Sequence, residues 1–498
     1  SLSIQVAEDI DVTSSGIGTT ATSFGKSGDL FIQTGNLRLR DTGIITTNTL
    51  GDGDSGNLTI NARDNVIIND RNRQGFLGAN ISTATIAGKG SAGNLEINAR
   101  QIRVEDGGTI STASGTAVLN RVFVSSGTGG SLMLNATDEI RLEASGTQES
   151  TSVISTNTFG SADAGFITLN TRRFVTRGRA LVAASTFATG RGGEITINAS
   201  ESVEISGDPN DFFGVGTNSG KESFQRFFGL GAATGAAGDV KIQTPQFLIQ
   251  NYGRVSVGSI GQGNAGSIQV NATAIRLDNA SINAATNGGG KGNITLRSQQ
   301  ILLRNASRIS ADAGSNSTGG NIDIQAGIVF AVPTENSDIV ANAIAGRGGT
   351  ISIVAQGIFG FQQSNVNTSR SEISARSGLR GSDGTVELIT FGTEPNVTPE
   401  LSEIESDRSA QIAQSCSRVA KTGQFVITER GGLEPTVSEV VQATPLWVDP
   451  RGSTAAQATP EPTAIVEATG WIQQPNGAIA LVADAPTRPQ VASCEALK

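Results

Sequence analysis

One short pattern recurs along most of the chain: a glycine, a small or polar residue, an aliphatic, a polar residue and a second aliphatic. Gly292-Asn-Ile-Thr-Leu-Arg297 is a clear copy. Alternation with a period of two puts Ile294 and Leu296 on one face and Asn293 and Thr295 on the other, as in a half-buried strand. The leading glycine stands at Gly28, Gly56, Gly93, Gly130, Gly165, Gly193, Gly238, Gly266, Gly292, Gly320, Gly349 and Gly384. The intervals are 28, 37, 37, 35, 28, 45, 28, 26, 28, 29 and 35 residues. A floor near 26–29 with only additions above it predicts a coil of fixed circumference carrying optional outer loops.

Two further runs complete each unit. About ten residues after the glycine come pairs such as Ile102/Val104, Ile140/Leu142 and Ile301/Leu303. Then follows an Ile-Ser-Thr-like step: Ile81-Ser-Thr83, Ile110-Ser-Thr112, Ile154-Ser-Thr156. Three short strands per turn predict an all-β chain, a right-handed parallel β-helix of about 12–13 coils over residues 1–392. Asparagines five residues after the glycine, at Asn61, Asn98, Asn135, Asn170, Asn198 and Asn271, are read as bend residues able to stack into an amide ladder. The repeat glycines are read as the other bend, where positive φ carries no steric cost.

Composition sharpens this picture. Glycine is 63 of 498 residues without a collagen period, and aromatics are only 4%, which suits thin stacked layers. The formal charge of −9 has no basic stripe, so nucleic acid is not an expected partner. No apolar run is long enough to span a membrane. The chain opens Ser1-Leu-Ser-Ile4 with Leu2 and Ile4 already in the aliphatic slots, which predicts a fragment or processed form of a longer protein.

Chemistry is sparse. Histidine is absent, which removes the commonest general base and transition-metal ligand together. Carboxylates do not recur at one offset from the glycine, as a polysaccharide-cleaving face would need. Gly51-Asp-Gly-Asp-Ser-Gly56 lacks the rest of a calcium loop and occurs once. No catalytic residue, metal site or cofactor is therefore expected. The 45-residue interval holds Asp208-Pro-Asn-Asp-Phe-Phe213 and Phe224-Gln-Arg-Phe-Phe228. Phe212, Phe213, Phe224, Phe227 and Phe228 form either an exposed contact patch or rings folded back onto the coil.

Beyond residue 392 the repeat stops, and ten of the 13 prolines, both tryptophans and both cysteines follow. Residues 393–414 read as an acidic linker and 415–498 as a small β domain. Ile465–Ala468 and Gly477–Val482 are expected to form a hairpin with Asn-Gly in its turn. Cys416 and Cys494 suit one disulfide in an oxidising compartment, with two free thiols as the alternative.

The array, with Cys416-Ser-Arg418, Phe425-Val-Ile-Thr-Glu-Arg-Gly-Gly-Leu433, Trp447-Val-Asp449, Glu467-Ala-Thr-Gly-Trp471 and Cys494, resembles the filamentous-haemagglutinin-like exoproteins of two-partner secretion. The resemblance is greatest to their cyanobacterial members. It implies export through an outer-membrane transporter partner, by way of an N-terminal secretion domain that this sequence does not include. It also implies a secreted or cell-surface adhesive or structural rod on a Gram-negative cell, meeting carbohydrate or protein ligands. A polysaccharide-binding or polysaccharide-cleaving β-helix is the alternative.

Overall fold

The computed structural model describes residues 1–391 except 71–77, 119–120, 145–150, 210–212, 221–232, 291, 315–316 and 380–381. It also describes the backbone of Gly470–Gln473 and Ile479–Val482. Contacts divide the chain into a unit at Ser1–Glu394 and a second at Pro395–Lys498.

The first unit is a parallel β-helix. Its first runs stack in sequence order through thirteen levels, from Leu2–Gln5 to Thr385–Thr390. The third runs form a separate parallel sheet, and single-residue bridges from Ala21 through Thr158 and Thr286 to Ser377 close the remaining side. Every level therefore repeats the same path, and equivalent residues fall into columns.

The aliphatic pattern explains why the stack forms. Leu58, Leu95, Leu132, Ile167 and Ile195 are in register on successive levels, and all are buried. The second-run and third-run aliphatics, such as Ile102 and Ile110, converge on the same interior. A single coil would leave these side chains wet, whereas each one fully buried contributes roughly 1.5–3 kcal/mol. From Leu95–Glu105 onward the first and second runs join into one long strand at most levels. It turns at an irregularity in register, as between Ala99 and Gln101.

Two expected bend positions are corrected. None of the repeat glycines has positive φ. They form a column instead: a Cβ on Gly238 would lie 1.8 Å from the Gly193 carbonyl oxygen, and one on Gly193 as close to that of Gly165. Backbones of adjacent levels meet there, and only glycine leaves room. Nine of the twelve glycines, from Gly93 onward except Gly292, are also tied across their own coil to the end of the third run, as by Gly130 N–H to the Thr112 carbonyl at 3.0 Å. In the N-terminal coils the threonine of the Ile-Ser-Thr step returns the bond: Thr47 Oγ1 donates to Gly56 O at 2.6 Å and Thr156 Oγ1 to Gly165 O at 2.8 Å.

The asparagines are not left-handed either; Asn98 lies inside the strand Leu95–Glu105. Left-handed residues lie between the second and third runs, at Ser14, Asp41, Asp106, Gly178, Asn279 and Asn336 among others. There the chain turns from one sheet to the other, and small polar residues accept the conformation at least cost.

The tail hairpin pairs Gly470–Gln473 antiparallel with Ile479–Val482. Its first strand carries Trp471 and is displaced from the expected 465–468. The linker at 393–414 and both cysteines, Cys416 and Cys494, lie outside the described residues.

Candidate functional site

Two troughs run along the array, one at each of two corners of the coil. The first follows the junction of the first and second runs. It comprises three shallow depressions of about 650, 500 and 550 Å³ that share lining residues. Its wall is the asparagine column. Asn98 Nδ2 donates to Asn61 Oδ1, Asn135 to Asn98, and Asn170 to Asn135, each at 2.8 Å, and Asn198 to Asn170 at 2.9 Å. Asn271 stands outside this chain of amides, because its register partners are Gln243 and Arg297. Small side chains such as Ala62, Ala99 and Ala136 make the floor.

Most charges on the N-terminal part of this side are paired with one another. Asp138 accepts from Gln101 Nε2 at 2.8 Å and from Arg172, and these two bonds pull its carboxyl down to about 2. Glu139 is likewise held below the usual carboxylate range, first by the Arg141 guanidinium at 2.8 Å. Over its N-terminal part the trough therefore presents an amide ladder and paired ions, while Arg297, exposed at its other end, has no ionic partner among the described residues.

The second trough lies beside the third runs and the bridge positions, from Asn218 to Gly378, with a volume of about 790 Å³. Its polar wall behaves differently. Asn218 Oδ1 accepts from Ser256 Oγ at 2.7 Å and from Gly258 N at 3.0 Å. Asn283 Oδ1 accepts from Ala285 N at 2.8 Å, and Asn342 Oδ1 from Arg376 N at 2.8 Å and Ser374 Oγ at 3.0 Å. Each carboxamide oxygen is thus engaged by the fold, and each NH2 makes no hydrogen bond among the described residues. Arg308 is paired with Asp312 at 2.8 Å and Asp338 at 3.5 Å. Arg376, half-buried in the wall, has no ionic partner among the described residues.

Behind this wall Asp338 and Glu372 occupy one column on adjacent levels. Burial pushes the Asp338 carboxyl up, and Glu372 Oε1 is buried without a hydrogen bond. Neither residue lines the trough, so the pair is not offered to a polymer lying there.

The remaining candidates are placed as follows. Phe213 is buried, with Arg179 stacked 4.7 Å above its ring, so this ring is folded back rather than presented. Phe212, Phe224, Phe227 and Phe228 lie outside the described residues. In the Gly51–Gly56 turn, Asp52 accepts from Lys89 N at 3.0 Å and Asp54 from Ser91 N at 2.9 Å. These aspartates bond level to level. Among the described residues no group of three or more Asp, Glu or Cys side chains is placed to hold a metal ion, and no helix is long and apolar enough to cross a membrane. Comparison with protein families, with characterised proteins and with solved structures returned no match.

Proposed function

We propose that the chain is a secreted adhesive or structural rod of the filamentous-haemagglutinin type, exported by two-partner secretion to the outer surface of a Gram-negative cell. The observation that carries this reading is the stack of thirteen levels with one repeated path. Such a stack converts sequence length into reach at about 4.8 Å per level, which is what an adhesive or structural rod needs. A transporter partner and extracellular carbohydrate or protein ligands belong to the same proposal. So does a Cys416–Cys494 disulfide.

The second reading, a polysaccharide-binding or polysaccharide-cleaving β-helix, is favoured by the trough lined with amide donors. The two are separated by immobilising the 498-residue chain and presenting cells and a polysaccharide panel. Retention without change in polymer length is expected. Depolymerisation that is lost on mutating one acidic cluster would overturn the adhesive reading in favour of an enzyme.

A further inference from the structure

The trough from Asn218 to Gly378 crosses six successive levels, and its chemistry repeats with them. The amide donors of Asn218, Asn283 and Asn342 recur at every second level along one wall, Asn283 two residues ahead of the column that holds the other two. At about 4.8 Å per level that spacing is commensurate with sugar units in an extended chain. Across the trough, Ile260 and Ile344 are 38% and 71% exposed, an apolar surface for the C–H faces of sugar rings. The floor, including Gly258, Ala285 and Ala343, is small enough for a bulky chain to lie close.

Backbone pairing argues against an added peptide strand. Ser259 N bonds Ala285 O at 2.9 Å, Thr286 N bonds Asp312 O at 3.0 Å, and Ala313 N bonds Asn342 O at 2.7 Å. The main chain of this wall is already spent between levels, so recognition falls to side chains. Those side chains offer N–H donors and one unpaired guanidinium, and Asp312, the carboxylate in the lining, is already held by Arg308. A chain rich in hydroxyls and bearing carboxylates complements that set.

We propose that this trough binds one extended, uronate-bearing polysaccharide along the array axis. Arg376 receives a carboxylate, and the three asparagine amides receive hydroxyl and ring oxygens. The proposal rests on the adhesive reading for the compartment in which such a polymer is met, and on the trough alone for its chemistry.

The test measures binding of polygalacturonate, dextran and polyglutamate to the full chain by calorimetry. Polygalacturonate is expected to bind more tightly than either of the others. Arg376→Gln should weaken it about tenfold or more, the scale of one charge-assisted hydrogen bond, and leave dextran unchanged. Asn283→Asp keeps the bonded acceptor but replaces the NH2 donor, and should weaken both polysaccharides. Arg297→Gln, in the other trough, serves as control, and thermal unfolding confirms that each variant folds. Polyglutamate binding as tightly as polygalacturonate, or Arg376→Gln behaving as Arg297→Gln does, would overturn the proposal. Wild-type protein that binds polygalacturonate yet retains no cells would leave the trough standing and remove the adhesive reading. Cell retention without polygalacturonate binding would do the reverse.

Discussion

Replacing Gly238 by alanine isolates what the glycine column does. The added Cβ would sit 1.8 Å from Gly193 O, 2.7 Å from its carbon and 2.8 Å from Gly192 O, all backbone atoms of the level below. Ordinary contact begins at 3.4 Å, so the Cβ and the Gly193 oxygen must part well beyond their 1.8 Å. That movement strains the bond from Gly238 N to Thr217 O, now 3.1 Å. Overpacking of this kind costs about 1–3 kcal/mol. Loss of one backbone hydrogen bond adds about 0.5–1.5 kcal/mol. Reduced freedom of the unfolded chain returns about 0.4–1 kcal/mol. The net expectation is a loss of roughly 0.5–4 kcal/mol, measured as a lowered urea midpoint by far-UV circular dichroism. Gly25 has nothing within 4 Å of its Cβ position, so Gly25→Ala should stay near wild type. Gly238→Asn separates close approach from a left-handed backbone, because asparagine accepts positive φ but carries the same Cβ. Gly238→Ala matching Gly25→Ala, or Gly238→Asn matching wild type, would refute the column.

Further expectations concern other columns. Asn135→Ala removes two amide bonds of 2.8 Å and should cost about 1–2 kcal/mol in urea unfolding, whereas Asn271→Ala, off the ladder, should cost little. Thr156→Val deletes the 2.8 Å hydroxyl bond to the buried Gly165 carbonyl, and a loss of about 1 kcal/mol is expected by the same assay. The Arg304 bond, and after it the Asn305 N–H, hold the Glu335 carboxyl at about 2 instead of 4.5. A depressed folded pKa stabilises above the unfolded value and is lost as pH falls from about 4.5 through 2. Glu335→Gln should therefore melt lower than wild type at pH 7 and converge with it in acid. Equal melting at neutral pH would contradict this. Thiol titration of the denatured, unreduced chain should find no free thiol if Cys416 and Cys494 are joined.

The parallel β-helix was legible because its evidence is periodic: Leu30 and Leu58 align 28 residues apart, and so do Ile32 and Ile60. The physical role of the glycines was not legible. A glycine admits either positive φ or a close neighbour, and the neighbour of Gly238 is Gly193, a full coil away in sequence. The third-run columns were hidden for a related reason. Arg308, Asp338 and Glu372 stack on three levels, yet they stand 16, 18 and 23 residues after their glycines. Residues inserted between the second and third runs shift the count without moving the column. Counting from the glycine therefore scattered residues that the fold collects, among them the amides of the second trough. The asparagine ladder was readable because no insertion separates it from its glycine.

Extra residues enter the coil at a few places only. Segments 71–77, 145–150 and 360–371 all fall in sequence between a second run and the third run that follows. Cargo spliced into that corner would project from one side of the array, whichever level is chosen. The choice of level would then set the separation. Payloads at 145–150 and 360–371 are anchored seven levels apart, about 34 Å at 4.8 Å per level. The coil is in this sense a graduated display scaffold, on which azimuth and spacing can be engineered independently of the sequence displayed.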